Sequence, residues 1–261
     1  MCMIRHELRQ NMKSLWIWAL TVGGFIFLVM LVYPEFGRSQ GDLMEMYSQL
    51  GAFSDAFGLK RLSMDSALGF YGVEGGVILA LGGSMFAAMT GTGMLAKEEG
   101  GHTAEFLYSA AQQRYTAVFG KLAAMVLLVT VFSLLCTVCG VLSFAAIGES
   151  FNSDLWLFHL AQWLMTLEIG CICFGISALL RKNSVGLGIG IAVLLYFANI
   201  FLNLSHKAGG LKYVTPFYYS DASRILADGR IEGFVLGIGI VIGAAVCAAG
   251  IKYYCGKDLA A

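Results

Sequence analysis

Residues 97–121 read KEEGGHTAEFLYSAAQQRYTAVFGK and form a polar interval between two long apolar segments. Gly100 and Gly101 should end the helix that precedes them, because a glycine inside a helix costs about 1 kcal/mol relative to alanine. Thr103 can cap a new short helix, and Glu105 in the first turn suits the positive end of the helix dipole. The interval therefore predicts a short amphipathic helix on short tethers, lying outside the hydrocarbon.

The composition around this interval is that of an integral membrane protein. Of the 261 residues, 58% are hydrophobic and 13% are charged, about half the usual charged share of ~25%. The mean hydropathy is +0.73, and several runs reach the roughly 20 apolar residues that cross a bilayer. The formal net charge of zero excludes a strongly basic surface for nucleic acid.

The apolar runs predict an all-α protein in which one transmembrane domain, residues 1–261, contains six spans. Placing both termini in the cytoplasm puts ten of the 17 Lys and Arg inside, which agrees with the positive-inside rule for short loops. This orientation makes residues 96–114 a cytoplasmic loop. The predicted spans are about Leu15–Tyr33, Leu68–Leu95, Leu122–Ile147, Leu155–Leu180, Val185–Leu204 and Ile231–Tyr253.

The N-terminal residues 1–14 carry Arg5, Arg9 and Lys13 at fourfold spacing. This spacing puts the three cations on one helical face and predicts an amphipathic helix lying on an anionic membrane surface. A simple positively charged flank of the first span is the alternative. Pro34 should end that span.

Two segments are predicted on the outer side. Residues 36–66 should include a helix lying flat on the membrane surface, as a packed lid or a substrate gate. Residues 205–231 contain KYVTPFYYSDASRILADG, in which Pro216 fixes a turn before a short helix. Backbone that is not helical and lies within the membrane must be buried in protein or wet, so the second segment should pack against the spans as a re-entrant segment.

The polar interval resembles the first cytoplasmic loop of the membrane (permease) subunits of type-two ABC exporters, the ABC-2 family. That loop typically reads as an acidic pair, Gly-Thr-x-Glu, an apolar pair, a Pro, an Arg and a Lys. The chain departs from it at His102, where glycine is usual, and at Ala111, where proline is common. The matching residues are Glu98, Glu99, Thr103, Glu105, Phe106, Leu107, Arg114 and Lys121.

The outer segment resembles the same family, whose members often carry a Ser-Pro-Phe-x-Tyr-like motif before a short helix. The matching residues are Thr215, Pro216, Phe217, Tyr219 and Asp221, with threonine where serine is common. Two resemblances in the expected order, on six spans of the expected topology, cover most of the chain.

The resemblance implies a permease subunit in a bacterial cytoplasmic membrane that works with a second, identical or similar, permease subunit and two cytosolic ABC ATPase subunits. ATP and magnesium would be bound by those ATPases. It also implies a coupling helix near Thr103–Tyr108, with Phe106 and Leu107 as anchors. The polar rim would be Glu98, Glu99, Glu105 and Arg114, with Tyr108 beside it, and the outer gate would be Pro216, Phe217, Tyr219 and Asp221.

Two acids lie within the predicted spans, Glu74 and Glu168. A carboxylate in the membrane is costly and usually faces protein or water, so a role in the transport path or in a dimer contact is the default hypothesis. Glu74 lies close enough to the outer interface to be simply hydrated. Glu168 is deeper, one to three turns after His159 and Gln162.

Catalytic, metal and nucleotide sites are not expected in this chain. Cys136 and Cys139 share a helix face, but no His or carboxylate accompanies them in the run, so packing is favoured over metal. Gly256 and Lys257 precede Asp258 rather than Ser or Thr, which argues against a phosphate-binding loop. ATP hydrolysis should therefore belong to a partner polypeptide.

Glycines recur four apart, a spacing that lets helices approach closely in lipid. Packing within the bundle is favoured over subunit dimerisation. The pairs are Gly186 and Gly190, Gly233 and Gly237, and Gly239 and Gly243.

Two other functions stay open. The chain could be a scaffold or sensor that docks a cytosolic partner, or an ion-coupled secondary carrier using Glu74 and Glu168. Low charge in the presumed path favours a hydrophobic or amphipathic cargo, such as a lipid-like compound or an antimicrobial peptide.

Overall fold

Six long helices lie side by side in the computed structural model, which describes residues 2–38, 62, 66–101, 114–182, 184–204 and 206–257. The all-α prediction with six spans is confirmed, and the described residues contain no strand. The long helices are α1 (Cys2–Arg38), α2 (Ala67–Gly100), α3 (Arg114–Ile147), α4 (Ser153–Ser177), α5 (Val185–Leu204) and α7 (Gly233–Gly256). A short helix α6 (Ala222–Asp228) precedes the last of them.

Helix α1 is a single helix, and this corrects one expectation, because Pro34 lies inside the helix rather than ending it. Residues 2–14 continue into the first span without a break, and their place on the membrane surface stays a prediction. Proline removes one backbone donor and strains the preceding turn, but Pro34 lies only four residues before Arg38, so little helix depends on the lost bond. The cations Arg5, Arg9 and Lys13 are all exposed, as their common face predicts.

The polar interval is framed by the ends of α2 and α3. Helix α2 ends at Gly100 and a turn follows at Gly101, as predicted. Helix α3 begins at Arg114, well before the predicted start at Leu122. Residues 102–113, including the predicted coupling helix near Thr103, lie outside the described residues, as do residues 39–61 of the predicted outer lid.

The helices pack in pairs around a buried core. Helix α1 packs mainly against α3, α2 against α4 and α5, and α7 against α4. Tyr71 belongs to the larger core cluster and is fully buried, with its ring 5.4 Å from that of Phe144. The Tyr71 hydroxyl is 2.9 Å from Nε2 of His159, whose Nδ1 is 3.1 Å from the Thr137 hydroxyl. The side chains of Tyr71, His159 and Thr137 thus form a buried hydrogen-bonded series in which each has a partner.

Small residues allow close approach where the helices cross. A Cβ added at Gly188 of α5 would lie 2.8 Å from the carbonyl oxygen of Ala88 in α2, and one at Gly91 of α2 would contact the carbonyl oxygen of Gly170 in α4 at 2.6 Å. Gly239 and Gly243 of α7 pack on Glu168 of α4, which confirms the packing interpretation for that pair. A Cβ added at the glycines of the other two pairs, Gly186 with Gly190 and Gly233 with Gly237, would meet no described atom within 4 Å.

The outer faces of the spans are apolar. The membrane-length window of α5 is only 17% buried inside the molecule, and residues such as Leu194 and Phe197 are more than half exposed. Apolar surface of this length and extent suits contact with hydrocarbon.

The segment between α5 and α7 folds onto the bundle. A 3₁₀ helix, His206–Tyr213, leads to turns over residues 214–220 and then to α6. Asp221 caps α6 by accepting a hydrogen bond from the Ser223 amide. Gly229 ends α6 with φ of +64°, a left-handed conformation that glycine adopts without strain.

Candidate functional site

A cluster of four charged side chains joins α1, α2 and α3 at the end of the bundle where Cys2 and Lys257 lie, called the termini end below. Glu7 of α1 lies between two lysines: its Oε2 is 2.5 Å from Lys97 Nζ and its Oε1 is 2.8 Å from Lys121 Nζ. Lys121 also donates to Glu98 Oε1 at 2.7 Å. We call Glu7, Lys97, Glu98 and Lys121 the four-charge cluster; it contains two cations and two anions.

Lys121 is the most deeply placed member of the four-charge cluster. It is fully buried, and its third hydrogen bond goes to the Met94 carbonyl oxygen at 3.0 Å. An ammonium group has three donors, so all three are satisfied. A buried charge is tolerated only when its partners compensate for lost hydration. Lys121 therefore fixes the start of α3 against the end of α2 and the start of α1.

A second ion pair ties the same region to α4 and α7. Lys257 Nζ lies 2.5 Å from Glu99 Oε1, as an ion pair rather than a well-directed hydrogen bond. Lys257 also donates to the Ala178 carbonyl oxygen at 2.7 Å, just after α4. Arg114, the first residue of α3, donates to the Lys257 carbonyl oxygen at 2.9 Å. Both helix ends that flank residues 102–113 are thus held to other spans: the end of α2 by ion pairs of Glu98 and Glu99, and the start of α3 by the hydrogen bond from Arg114.

The structure describes three of the predicted coupling residues. Glu98 and Arg114 lie at the flanking helix ends, and Glu99 is buried with its carboxylate on Lys257. Both acids thus contact lysines of this chain, and their predicted contact with an ATPase stays a prediction. The others lie outside the described residues: Thr103, Glu105, Phe106, Leu107 and Tyr108.

A second polar site lies where α4, α7 and the outer segment meet. Glu168 is 6% exposed and its Oε2 accepts a hydrogen bond from the Tyr219 hydroxyl at 2.8 Å. Burial and the neighbouring Glu168 carboxylate raise the pKa of the Tyr219 phenol, so this group keeps its proton and donates. Glu74 lies elsewhere, half-buried in a π-helical turn of α2, Tyr71–Gly75.

The residues predicted as an outer gate pack into the bundle. Pro216, Phe217 and Tyr219 are buried, and the Phe217 ring meets the Tyr196 ring of α5 edge-on at 5.4 Å. The Thr215 hydroxyl donates to the Leu195 carbonyl oxygen at 2.8 Å. The segment thus packs against α4 and α5, while its depth in the membrane and its role as a gate stay predictions.

Sequence reasoning missed the four-charge cluster. Its members are far apart in sequence, so no local periodicity brings Glu7 to Lys97 and Lys121. One signal was available: Lys121 stands among apolar residues, and an ionisable group in such a run is expensive enough to indicate a buried partner.

These features define a class first: a helical, multi-pass membrane protein with charged contacts at the termini end of the bundle. A sequence model of the family described as "ABC-2 family transporter protein" matches residues 1–216. The chain belongs to this family, whose membrane subunits work with cytosolic ATPase partners. No match was found among the curated proteins.

Proposed function

We propose that this chain forms half of the translocation path of an ATP-driven exporter and that residues 97–121 couple it to separate ATPase subunits. The family supports a permease role. The cargo proposed is a hydrophobic or amphipathic compound, or an antimicrobial peptide, because few charged residues line the spans. A second permease subunit would complete the path, in a bacterial cytoplasmic membrane with both termini in the cytoplasm.

One observation supports the coupling step above all: the helix ends on both sides of residues 102–113 are tied to other spans, one through an ion pair and the other through hydrogen bonds to backbone carbonyls. Glu98 is tied through Lys121 to Glu7 of α1, and Arg114 through Lys257 to the end of α4. A push on the intervening residues would move α2 and α3 together with α1 and α7, rather than bending one loop. Such coupling needs contacts that persist through the motion.

The test replaces the two predicted anchors. Phe106→Asp with Leu107→Asp should leave ATP hydrolysis largely intact but uncouple it from transport, since two carboxylates in an apolar groove lack partners. Export and ATPase activity would be measured together in proteoliposomes that contain the complete complex.

The matched control is Gln112→Asp with Gln113→Asp, which adds the same charge to the same interval without touching the predicted anchors. Unchanged coupling in the anchor variant would contradict the proposal. Transport by this chain alone, without ATP, would instead favour the ion-coupled carrier.

A further inference from the structure

A small cavity lies at the end of the bundle away from the termini, between α2, α4, α5 and the outer segment. Its volume is about 50 Å³; a single water needs roughly 10–15 Å³ on a comparable measure. It therefore accommodates a few waters or one small polar head, and not a whole drug-sized molecule. Its wall includes polar groups of Gln162, Asn199 and Asp221 and apolar groups of Val77 and Ile200.

Two side-chain oxygens in this wall are buried without a partner. Gln162 is 4% exposed and Asn199 is 6% exposed, and neither Gln162 Oε1 nor Asn199 Oδ1 accepts a hydrogen bond within the described part of the chain. Their orientations are fixed by groups that only accept. Gln162 Nε2 donates to the Ser220 carbonyl oxygen at 2.8 Å, and Asn199 Nδ2 donates to Asp221 Oδ2 at 3.4 Å. The two oxygens can therefore each accept a hydrogen bond from a ligand.

The same wall carries a negative charge. Asp221 Oδ1 accepts from the Ser223 amide at 2.8 Å, but no Lys or Arg among the described residues forms an ion pair with this carboxylate. The nearest arginine in sequence, Arg224, donates instead to Asn203 Oδ1 at 3.1 Å and stacks 4.0 Å from the centre of the Tyr218 ring. The cavity wall is therefore acceptor-rich and anionic.

We propose that this cavity binds the primary ammonium group of an amphipathic molecule. An ammonium group has three donors and no acceptor, which matches Gln162 Oε1, Asn199 Oδ1 and the Asp221 carboxylate. Val77 and Ile200 would contact the first methylenes of the apolar tail. Dry burial of the two unpartnered oxygens is unfavourable, and an incoming N–H donor removes that cost. If the molecule is exported cargo, the inference rests on the proposed function; if it is a lipid head group, it does not.

The binding test uses the purified full chain in phosphatidylcholine nanodiscs, with empty nanodiscs subtracted. Dodecylammonium should bind saturably, and dodecyltrimethylammonium, which has the same charge and tail but no N–H donor, should bind at least about tenfold more weakly. Equal binding of the two probes would overturn the proposal, because it would show attraction to charge and apolar surface alone.

Asp221→Asn is the informative variant. Asparagine caps a helix as well as aspartate does, so α6 should keep its start while the cavity loses its charge. Dodecylammonium affinity should fall about tenfold or more. Asp228→Asn, an exposed position at the end of the same helix, is the matched control and should bind as the wild type does. Undiminished affinity in Asp221→Asn would overturn the proposal.

A second variant guards against misfolding. Asn199→Leu removes an unpartnered buried oxygen together with the 3.4 Å hydrogen bond to Asp221, so the thermal unfolding temperature should change little while dodecylammonium affinity falls. Unchanged dodecylammonium affinity in a folded Asn199→Leu protein would overturn the proposal that the ammonium group binds in this cavity.

A competition experiment distinguishes a lipid head group from a free amine as the natural source of the ammonium group. Phosphatidylethanolamine in the nanodisc should compete with dodecylammonium in the wild type if the natural ligand is a lipid head; lack of competition with intact dodecylammonium binding would assign the site to a free amphipathic amine. These measurements use no ATP and no ATPase, so their failure would leave the coupling test of Phe106 and Leu107 unaffected.

Discussion

At the residue scale, Lys121 shows how a charge is held inside a membrane protein. Its ammonium group is fully buried and donates to Glu7, Glu98 and the Met94 carbonyl oxygen. Burial of a charge is costly, and removing one partner of a buried pair costs more than the pair itself contributes, because the other charge is left without compensation.

We predict that Lys121→Met lowers the free energy of unfolding by about 3 kcal/mol. The reason is that Glu7 and Glu98 would lose their common partner while remaining close to each other. Reversible unfolding in mixed micelles would measure the change.

Lys252→Met is the control, because Lys252 is exposed on α7; its unfolding free energy should change by less than about 0.5 kcal/mol. Adding Glu98→Gln to Lys121→Met should recover part of the loss, because Glu7 keeps Lys97 as its partner. Equal stability of the two single variants would show that the cluster contributes little.

At the element scale, the contact between α4 and α7 depends on glycine. A Cβ added at Gly239 would overlap Oε2 of Glu168, and one at Gly243 would lie 3.2 Å from its Cγ. The carboxylate thus occupies space that any larger residue would take. The same carboxylate accepts from Tyr219, so helix packing and the position of the outer segment are linked.

We predict that Gly239→Ala destabilises the protein by about 1–3 kcal/mol, a cost typical of overpacking, and displaces Glu168 from Tyr219. The Cβ of Gly237→Ala on the same helix would meet no atom of the described residues within 4 Å, so this change should be nearly neutral. Thermal unfolding in detergent compares the two variants. A Gly239→Ala protein as stable as Gly237→Ala would mean that Glu168 moves aside without cost.

The elements were largely predictable because span length and hydropathy are local properties. The bounds of α5, Val185–Leu204, match the prediction, and the ends of α2 at Gly100 and α3 at Ile147 follow from glycine chemistry and loss of apolar residues. The start of α3 was missed because propensity alone does not tell how far a helix extends beyond the hydrocarbon.

The contacts of the site were less predictable. Glu99 was expected on an exposed rim, but a carboxylate that finds Lys257 of another span becomes buried. Partner choice across long sequence separations depends on three-dimensional packing, which periodicity does not contain. The sequence likewise does not predict that the side-chain oxygens of Gln162 and Asn199 lack partners, because it does not show which buried amides are hydrogen-bonded.

At the scale of the whole molecule, orientation decides whether an ATPase can reach residues 97–121. The family and the six apolar helices establish a multi-pass membrane protein, and the distribution of Lys and Arg predicts that both termini lie inside.

We predict that a cysteine at position 106, in a background with the native cysteines replaced, reacts with a membrane-impermeant maleimide only after the cells are permeabilised. A cysteine at position 228, at the exposed end of α6, should react in intact cells because it lies on the other side. Labelling of position 106 in intact cells would contradict the orientation and the coupling proposal together.

The four-charge cluster has an electrical consequence. An unbalanced charge that crosses the membrane field does work of about 2.3 kcal/mol per 100 mV. Glu7, Lys97, Glu98 and Lys121 carry two positive and two negative charges in direct contact, so a stroke that shifts them as one unit transfers no net charge. The resting voltage of the cell would then neither assist nor oppose that displacement.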